Sequence, residues 1–166
     1  MSQSEHIQKR DEQLAAIQAA PEAWFEYAFA LMDLQDTHGP DFLKQSERLL
    51  VSAYQLDTCI QSSGLFSFFE LQPYWAQFGA EAMKQLGLGK LEQVIRQAAE
   101  VLELPPNATE DEVRTATQKL VEAQFDETLD QLEPLENVYH EESGAIPTAF
   151  MAYIRANHDS LKQANR

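Results

Sequence analysis

Apolar residues in this chain recur at steps of three and four, and nowhere in its 166 residues do they alternate in twos between turns. The first spacing lines one side of a helix, while strict alternation would mark a half-buried strand, so the pattern admits an all-α fold and little else. The clearest case is Leu49, Leu50, Ala53, Leu56 and Ile60, on a helix predicted from about Asp41 to Ser62. Gly64 is expected to stop that helix in the left-handed conformation, and the aromatic run Leu65-Phe66-Ser67-Phe68-Phe69 comes next.

The punctuation agrees with this reading. A first helix is predicted from about Glu5 to Ala19, with Ile7, Leu14 and Ile17 among its apolar positions. Pro21 suits the first turn of a second helix, which carries Trp24, Phe25, Ala28, Leu31, Met32 and Gln35 and meets breakers at Thr37-His38-Gly39-Pro40. Pro73 opens a helix through Trp75, Phe78, Met83 and Leu86, with Gly87 as its stop. Another is predicted from Lys90 to Leu104, closed by Pro105-Pro106. Asn107 or Thr109 can cap the next helix; Thr109-Glu110-Asp111-Glu112 has the spacing of a capping box, and the helix is predicted to reach about Leu132. Pro134, Gly144 and Pro147 are expected to break up the segment beyond it, before a last helix from Thr148 to Lys162. The expectation is one compact all-helical domain over residues 1–166, of about seven to nine helices, with a short disordered end at 163–166.

A chain this long can bury about 70% of the surface its unfolded form exposes, so it needs no staples. Its single cysteine, Cys59, cannot form an intramolecular disulfide, and in a helical pattern among Tyr54, Leu56 and Ile60 it reads as a core residue rather than a nucleophile. The polar N-terminus has no apolar stretch of the signal-peptide kind, and no apolar run approaches a membrane span. A cytoplasmic protein is expected, in keeping with one unpaired thiol.

Charge is placed rather than spread. The net charge is −15, and −9 of it falls between Pro105 and Glu142, where eleven acids meet only Arg114 and Lys119. Residues 1–57 contribute −6, residues 58–104 −2 and residues 143–166 +2. Gln often stands where a helix surface would carry Lys: there are seventeen Gln against six Lys and six Arg. The two have similar helix propensity, so the exchange keeps the helix and removes positive charge. Such a surface repels nucleic acid and attracts proteins that bind it.

On a continuous helix, Val121, Phe125, Leu129 and Leu132 form an apolar stripe, and Glu122, Asp126, Asp130 and Glu133 repeat its steps one position later, about 100° around the axis. Carboxylates at i and i+4 repel by a few tenths of a kcal/mol per pair. Residues 110–142 wholly helical would span about 50 Å, or one acid per ~4.5 Å, against one phosphate per ~3.4 Å on a single DNA strand and ~1.7 Å on the duplex. Resemblance to a duplex needs a second acidic row, from Asp33, Asp36 and Asp41 packed nearby or from a second subunit in a homodimer. An ordinary solvated face is the alternative.

Recognisable catalytic patterns are missing. No calcium loop, glycine-rich phosphate loop or paired zinc-binding histidines can be found, and His6, His38, His140 and His158 are scattered. Neither cofactor nor metal is expected, and carboxylate pairs are too abundant for any one to suggest acid–base catalysis. The aromatics Phe66, Phe68, Phe69, Tyr74 and Trp75 read as core, with a partner-binding patch as the alternative.

Gly64, Phe68 and Phe69, the phrase Glu81-Ala82-Met83-Lys84-Gln85-Leu86-Gly87, the stretch Leu132-Glu133-Pro134-Leu135-Glu136 with Tyr139, and Ala152-Tyr153-Ile154-Arg155 occur in this order. Over about residues 45–160 the chain resembles a bacterial acidic domain-of-unknown-function family that includes a DNA-mimic protein. Ser62, Ser63, Leu65 and Ser67 depart from the residues usual there. The resemblance implies an all-helical fold and, for an acidic member, occupation of a DNA-binding protein in place of DNA.

Together these readings predict a non-enzymatic acidic protein that sequesters a basic DNA-binding protein, such as a transcription factor, and contacts neither nucleic acid nor membrane. Glu122, Asp126, Glu127, Asp130, Glu133 and Glu136 would stand in for phosphates. An immunity- or antitoxin-type inhibitor of a toxin, and an enzyme without a visible motif, are the alternatives.

Overall fold

The computed structural model describes residues 3–17 and 24–162. Among them are nine α-helices: α1 (Gln3–Ala16), α2 (Trp24–His38), α3 (Gln45–Ser63), α4 (Leu65–Leu71), α5 (Pro73–Gln85), α6 (Gly89–Val101), α7 (Glu110–Ala123), α8 (Phe125–Glu142) and α9 (Ile146–Lys162). No strand occurs among the described residues. The predicted ends at Ala19 and Pro21 and the expected disorder at 163–166 fall outside them.

Helix α3 is the axis of the fold. Its expected apolar face is buried in full, with Leu49, Leu50, Ala53, Leu56 and Ile60 all sealed. Helices α2, α4, α5 and α9 pack around it, α1 lies against α2, and α6 bridges α5 to α8. Gly79 lets α5 approach α3 closely: a Cβ there would stand 3.1 Å from Leu56 Cδ1 and 3.2 Å from Phe68 Cε1. The buried Ser52 hydroxyl donates to the Trp75 carbonyl at 2.9 Å and ties the same two helices. Phe66, Phe68, Phe69 and Trp75 are core, as expected, and Tyr74 packs half-buried against it. Cys59 is buried too, and burial raises its thiol pKa.

Four local expectations are corrected. Helix α3 starts at Gln45, because Pro40–Phe42 forms a separate 3-10 turn. Gly64 has φ 90 and ψ 170, a positive-φ state outside the left-handed helical region. The acidic segment is two helices rather than one: Gln124, at φ −148 and ψ 33, ends α7 and precedes α8. Pro134 then fails to break α8 and lies inside it. A proline in a helix interior removes one hydrogen bond and crowds the carbonyl four residues back, a cost of about 3 kcal/mol. Here Pro134 is exposed, so the Asp130 carbonyl left without a donor can be hydrated, while Leu132 and Tyr139 anchor the helix on its other side.

Charged residues also enter the interior. Arg10 and Glu47 are 1% and 0% exposed and pair at 3.0 Å across 37 residues of sequence. The second Glu47 oxygen accepts the Lys44 N–H at 2.9 Å, so this buried carboxylate has both oxygens occupied. Phe25, expected among the apolar positions of α2, is instead exposed together with Phe29.

Candidate acidic interface

The capping box at the start of α7 forms as the spacing predicts. Glu112 accepts from the Thr109 N–H at 2.7 Å, and the Thr109 hydroxyl accepts from the Glu112 N–H at 3.4 Å. The Thr109 N–H, followed by its hydroxyl, holds the Glu112 carboxyl below the usual carboxylate range. Both bases of the acidic segment are neutralised locally: Arg114 by Glu110 at 2.7 Å and Lys119 by Glu103 at 3.6 Å.

Helix α8 holds seven acids and no Lys or Arg. Its buried side is Thr128, Leu132 and Tyr139. At about 100° per residue, Asp126, Asp130, Glu133 and Glu141 fall in one arc about 160° away from that side. All four are exposed and form no ion pair among the described residues, although Lys90 of α6, which pairs with Glu142, also feels the charge of Glu141. Glu127 is exposed as well, toward one flank. Over the ~27 Å length of α8, seven acids give one per ~4 Å, near the spacing along one DNA strand and short of a duplex.

Two candidate residues stand apart from this row. Glu122 is on α7, so the break at Gln124 takes it out of the four-residue series, and Gln118 approaches its carboxylate at 3.4 Å. Glu136 turns inward: it accepts the Leu65 N–H at 2.7 Å and lies 3.7 Å from His140. It fastens α8 to the start of α4 rather than facing a partner. Of the suggested second row, Asp33 pairs with Lys9 and Asp41 lies 3.6 Å from Arg48, while Asp36 is exposed on α2.

Beside the acidic row, α3, α4 and α8 enclose an open groove of about 760 Å³. Phe125 and Leu129, on the apolar stripe that sequence periodicity draws, are 40% and 39% exposed and line this groove with Phe66, whose ring meets that of Phe125 edge-on at 5.3 Å. Its polar residues include Ser62, Ser63 and Ser67 and the acids Glu70, Asp130 and Glu133. Glu70, across the groove on α4, is absent from the residues that sequence reasoning singles out, because nothing in one dimension places it opposite α8.

Below the groove, Tyr139 donates its hydroxyl to Asp57 at 3.0 Å, and Gln61 reaches both Asp57 at 3.5 Å and Ser143 at 2.8 Å. Burial raises the Asp57 carboxyl pKa, while the hydrogen bonds from Tyr139 and Gln61 and the nearby His140 oppose the shift without cancelling it. This network joins α3 to α8 and sets the outward row on a fixed support. No group of three or more His, Cys, Asp or Glu with metal-binding geometry occurs among the described residues, and no helix there is long and apolar enough to cross a membrane.

The chain belongs to the DMP19-like protein family, whose model matches residues 41–157. That span takes in α3, the groove and the whole of α8, and nearly coincides with the stretch over which the sequence resemblance runs. No curated protein and no solved structure matches the chain.

Proposed function

We propose that the outward face of α8 binds the basic surface of a DNA-binding protein and occupies it in place of DNA. The reading rests on one observation above all: Asp126, Asp130, Glu133 and Glu141 line one exposed arc of a helix with no Lys or Arg, and none has an ion-pair partner among the described residues. Exposed carboxylates on a protein surface are ordinarily interspersed with cations, which relieves their repulsion. Lys90 offsets the row only near Glu141, and the stretch from Asp126 to Glu133, left unrelieved, attracts a cationic surface, speeds encounter and makes the complex sensitive to salt. Membership in the DMP19-like family fits the helical scaffold that the sequence resemblance implies.

Glu127 extends the row on one flank, and Glu122 lies on the neighbouring helix. Glu136 contributes to the field while its carboxylate holds α4. The row by itself, four acids over the ~22 Å from Asp126 to Glu141, is sparser than one strand, and a homodimer pairing two α8 faces would bring it closer to nucleic-acid density.

The test is capture of partners from the host lysate on immobilised protein, repeated with excess duplex DNA and at raised salt. A DNA-binding protein is expected to be retained and then released by both. The variant Asp126→Lys, Asp130→Lys, Glu133→Lys should fold normally and retain nothing. Undiminished binding by that variant would overturn the proposal.

A further inference from the structure

We propose that the groove between α4 and α8 receives the apolar anchors of a basic helix: a partner segment rich in Arg or Lys that carries two Leu-like side chains one turn apart. This inference rests on the reading of α8 as a face for a basic protein and names the chemistry of the segment that it holds.

Phe125 and Leu129 lie one turn apart on α8, and both remain about two-fifths exposed in a chain that buries Leu132, Tyr139, Phe66 and Phe68 almost completely. They sit on the wall of a groove rather than on a convex surface, with Phe66 of α4 meeting the ring of Phe125. Its volume of about 760 Å³ lies within the range of sites that enclose whole ligand groups. Two apolar positions at i and i+4 beside a groove match the way an amphipathic helix docks, through anchors one turn apart.

Charge decides which helix. Glu70 on α4 and Asp130 and Glu133 on α8 line the groove, no Lys or Arg lines it, and none of the three acids has an ion-pair partner among the described residues. His140, the one titratable base on its wall, lies against Glu136. An acidic or neutral helix would bring its own carboxylates or dipoles to this rim without compensation. A helix with Arg or Lys beside its apolar anchors places cations against Glu70 on one side and Asp130 and Glu133 on the other. A surface that only copies phosphates has no use for the apolar wall, because a DNA backbone offers none.

The experiment uses two fluorescein-labelled synthetic peptides of about 18 residues, long enough to form a helix. Both are built from Arg, Lys and Ala with equal charge. One carries Leu at two positions four apart, and the other carries Gln there. Fluorescence anisotropy with the full chain should show the Leu peptide binding about tenfold more tightly, the scale of partial burial of two such side chains. With Phe125→Gln, Leu129→Gln that advantage should vanish while the Gln peptide binds as before. Both replaced residues are surface-exposed, and circular dichroism checks that the helices remain.

With Asp130→Lys, Glu133→Lys both peptides should be lost. Equal affinity of the two peptides for the native chain, or a Leu advantage that survives in the Phe125/Leu129 variant, overturns the groove proposal. If equal binding is also abolished by Asp130→Lys, Glu133→Lys, the acidic face stands without the groove. Binding of neither peptide to the native chain overturns both readings.

Discussion

The carboxylate of Glu136 stands 3.0 Å from the point where a Cβ on Gly64 would lie, and it accepts the N–H of the next residue, Leu65, at 2.7 Å. One side chain of α8 therefore enters the space that a glycine leaves open and satisfies a donor at the start of α4. Gly64 also holds φ 90 and ψ 170, a region open almost only to glycine. Gly64→Ala should cost about 1–3 kcal/mol from backbone strain, with displacement of Glu136 in addition. Glu136→Ala should cost about 1.5–3 kcal/mol for a lost charge-assisted hydrogen bond, and Glu136→Gln less, because an amide oxygen can still accept. Urea denaturation of the three variants measures this, and a neutral Gly64→Ala would contradict the geometry.

A second prediction concerns the sealed pair of Arg10 and Glu47. Removing Arg10 leaves Glu47 buried without its cation, whereas removing Glu47 leaves Arg10 with the half-exposed Asp11, 2.7 Å away, as its one remaining carboxylate partner among the described residues. Arg10→Ala should therefore lose about 3–5 kcal/mol, and Glu47→Ala less, because Asp11 still compensates Arg10. The double replacement Arg10→Met, Glu47→Leu removes both charges and should lose far less, or gain. A double-mutant cycle in urea distinguishes the two, and a loss under ~1 kcal/mol for Arg10→Ala would show that water reaches the pair.

Asp57 and Glu112 should respond to pH with opposite signs. Burial raises the folded-state pKa of Asp57, so between the ordinary carboxyl pKa of ~3.9 and that higher value the folded chain binds more protons than the unfolded one. Its contribution falls as pH rises through that window, and the deficit persists at neutrality. Asp57→Asn, which keeps an acceptor for Tyr139, should therefore be the more stable protein at pH 7, with the difference closing below about pH 3.5. Glu112 is lowered by the Thr109 N–H and hydroxyl, so its contribution is present above the ordinary carboxyl pKa and lost as pH falls through the folded value. Glu112→Gln should be less stable than the native chain at pH 7 and equal to it in acid. Thermal unfolding across pH, read as differences from the native chain, tests both signs.

The range of each interaction decides how far a sequence can disclose it. The α3 stripe, Pro73 at the start of α5, the Gly87 stop and the Thr109 capping box depend on residues within a turn or two, and all form as their spacing says. The pairing of Arg10 with Glu47 joins residues far apart in sequence, and polar residues on α1 read as surface. The break at Gln124 has no glycine or proline to announce it. Pro134, which looks like a breaker, is carried by the anchored helix around it. The stripe containing Phe125 and Leu129 shows the limit most clearly for the candidate site. Periodicity places the two residues on a common side of a helix, but whether a neighbour covers that side depends on where α4 ends, and there it leaves a groove. Net charge, by contrast, needs no partner to be read, so the acidity of this segment is legible without the fold, whereas the row's membership is not: Glu122 and Glu136 drop out and Glu141 enters.

The row makes a final prediction about stability, separate from any partner. Asp130 has like charges three and four residues before it, at Glu127 and Asp126, and three after it, at Glu133, with no Lys or Arg on the helix. Each such pair destabilises by a few tenths of a kcal/mol. Asp130→Asn and Glu133→Gln should therefore each stabilise the chain by about 0.3–1 kcal/mol at low salt, with the gain shrinking as salt screens the repulsion. Asp126 lies in the first turn of α8, where a carboxylate favours the helix dipole by a similar amount, so Asp126→Asn should be near neutral or slightly destabilising. This contrast separates a functional row from a merely tolerated one. Residues chosen for folding alone would not sit where their neutral isosteres are more stable, so gains at Asp130 and Glu133 accompanied by weakened partner capture would show stability given up for binding. Urea titrations of the three variants at low and high salt, compared with their retention of partner, supply the measurement, and losses of stability at both Asp130 and Glu133 would reduce the row to a solvated surface.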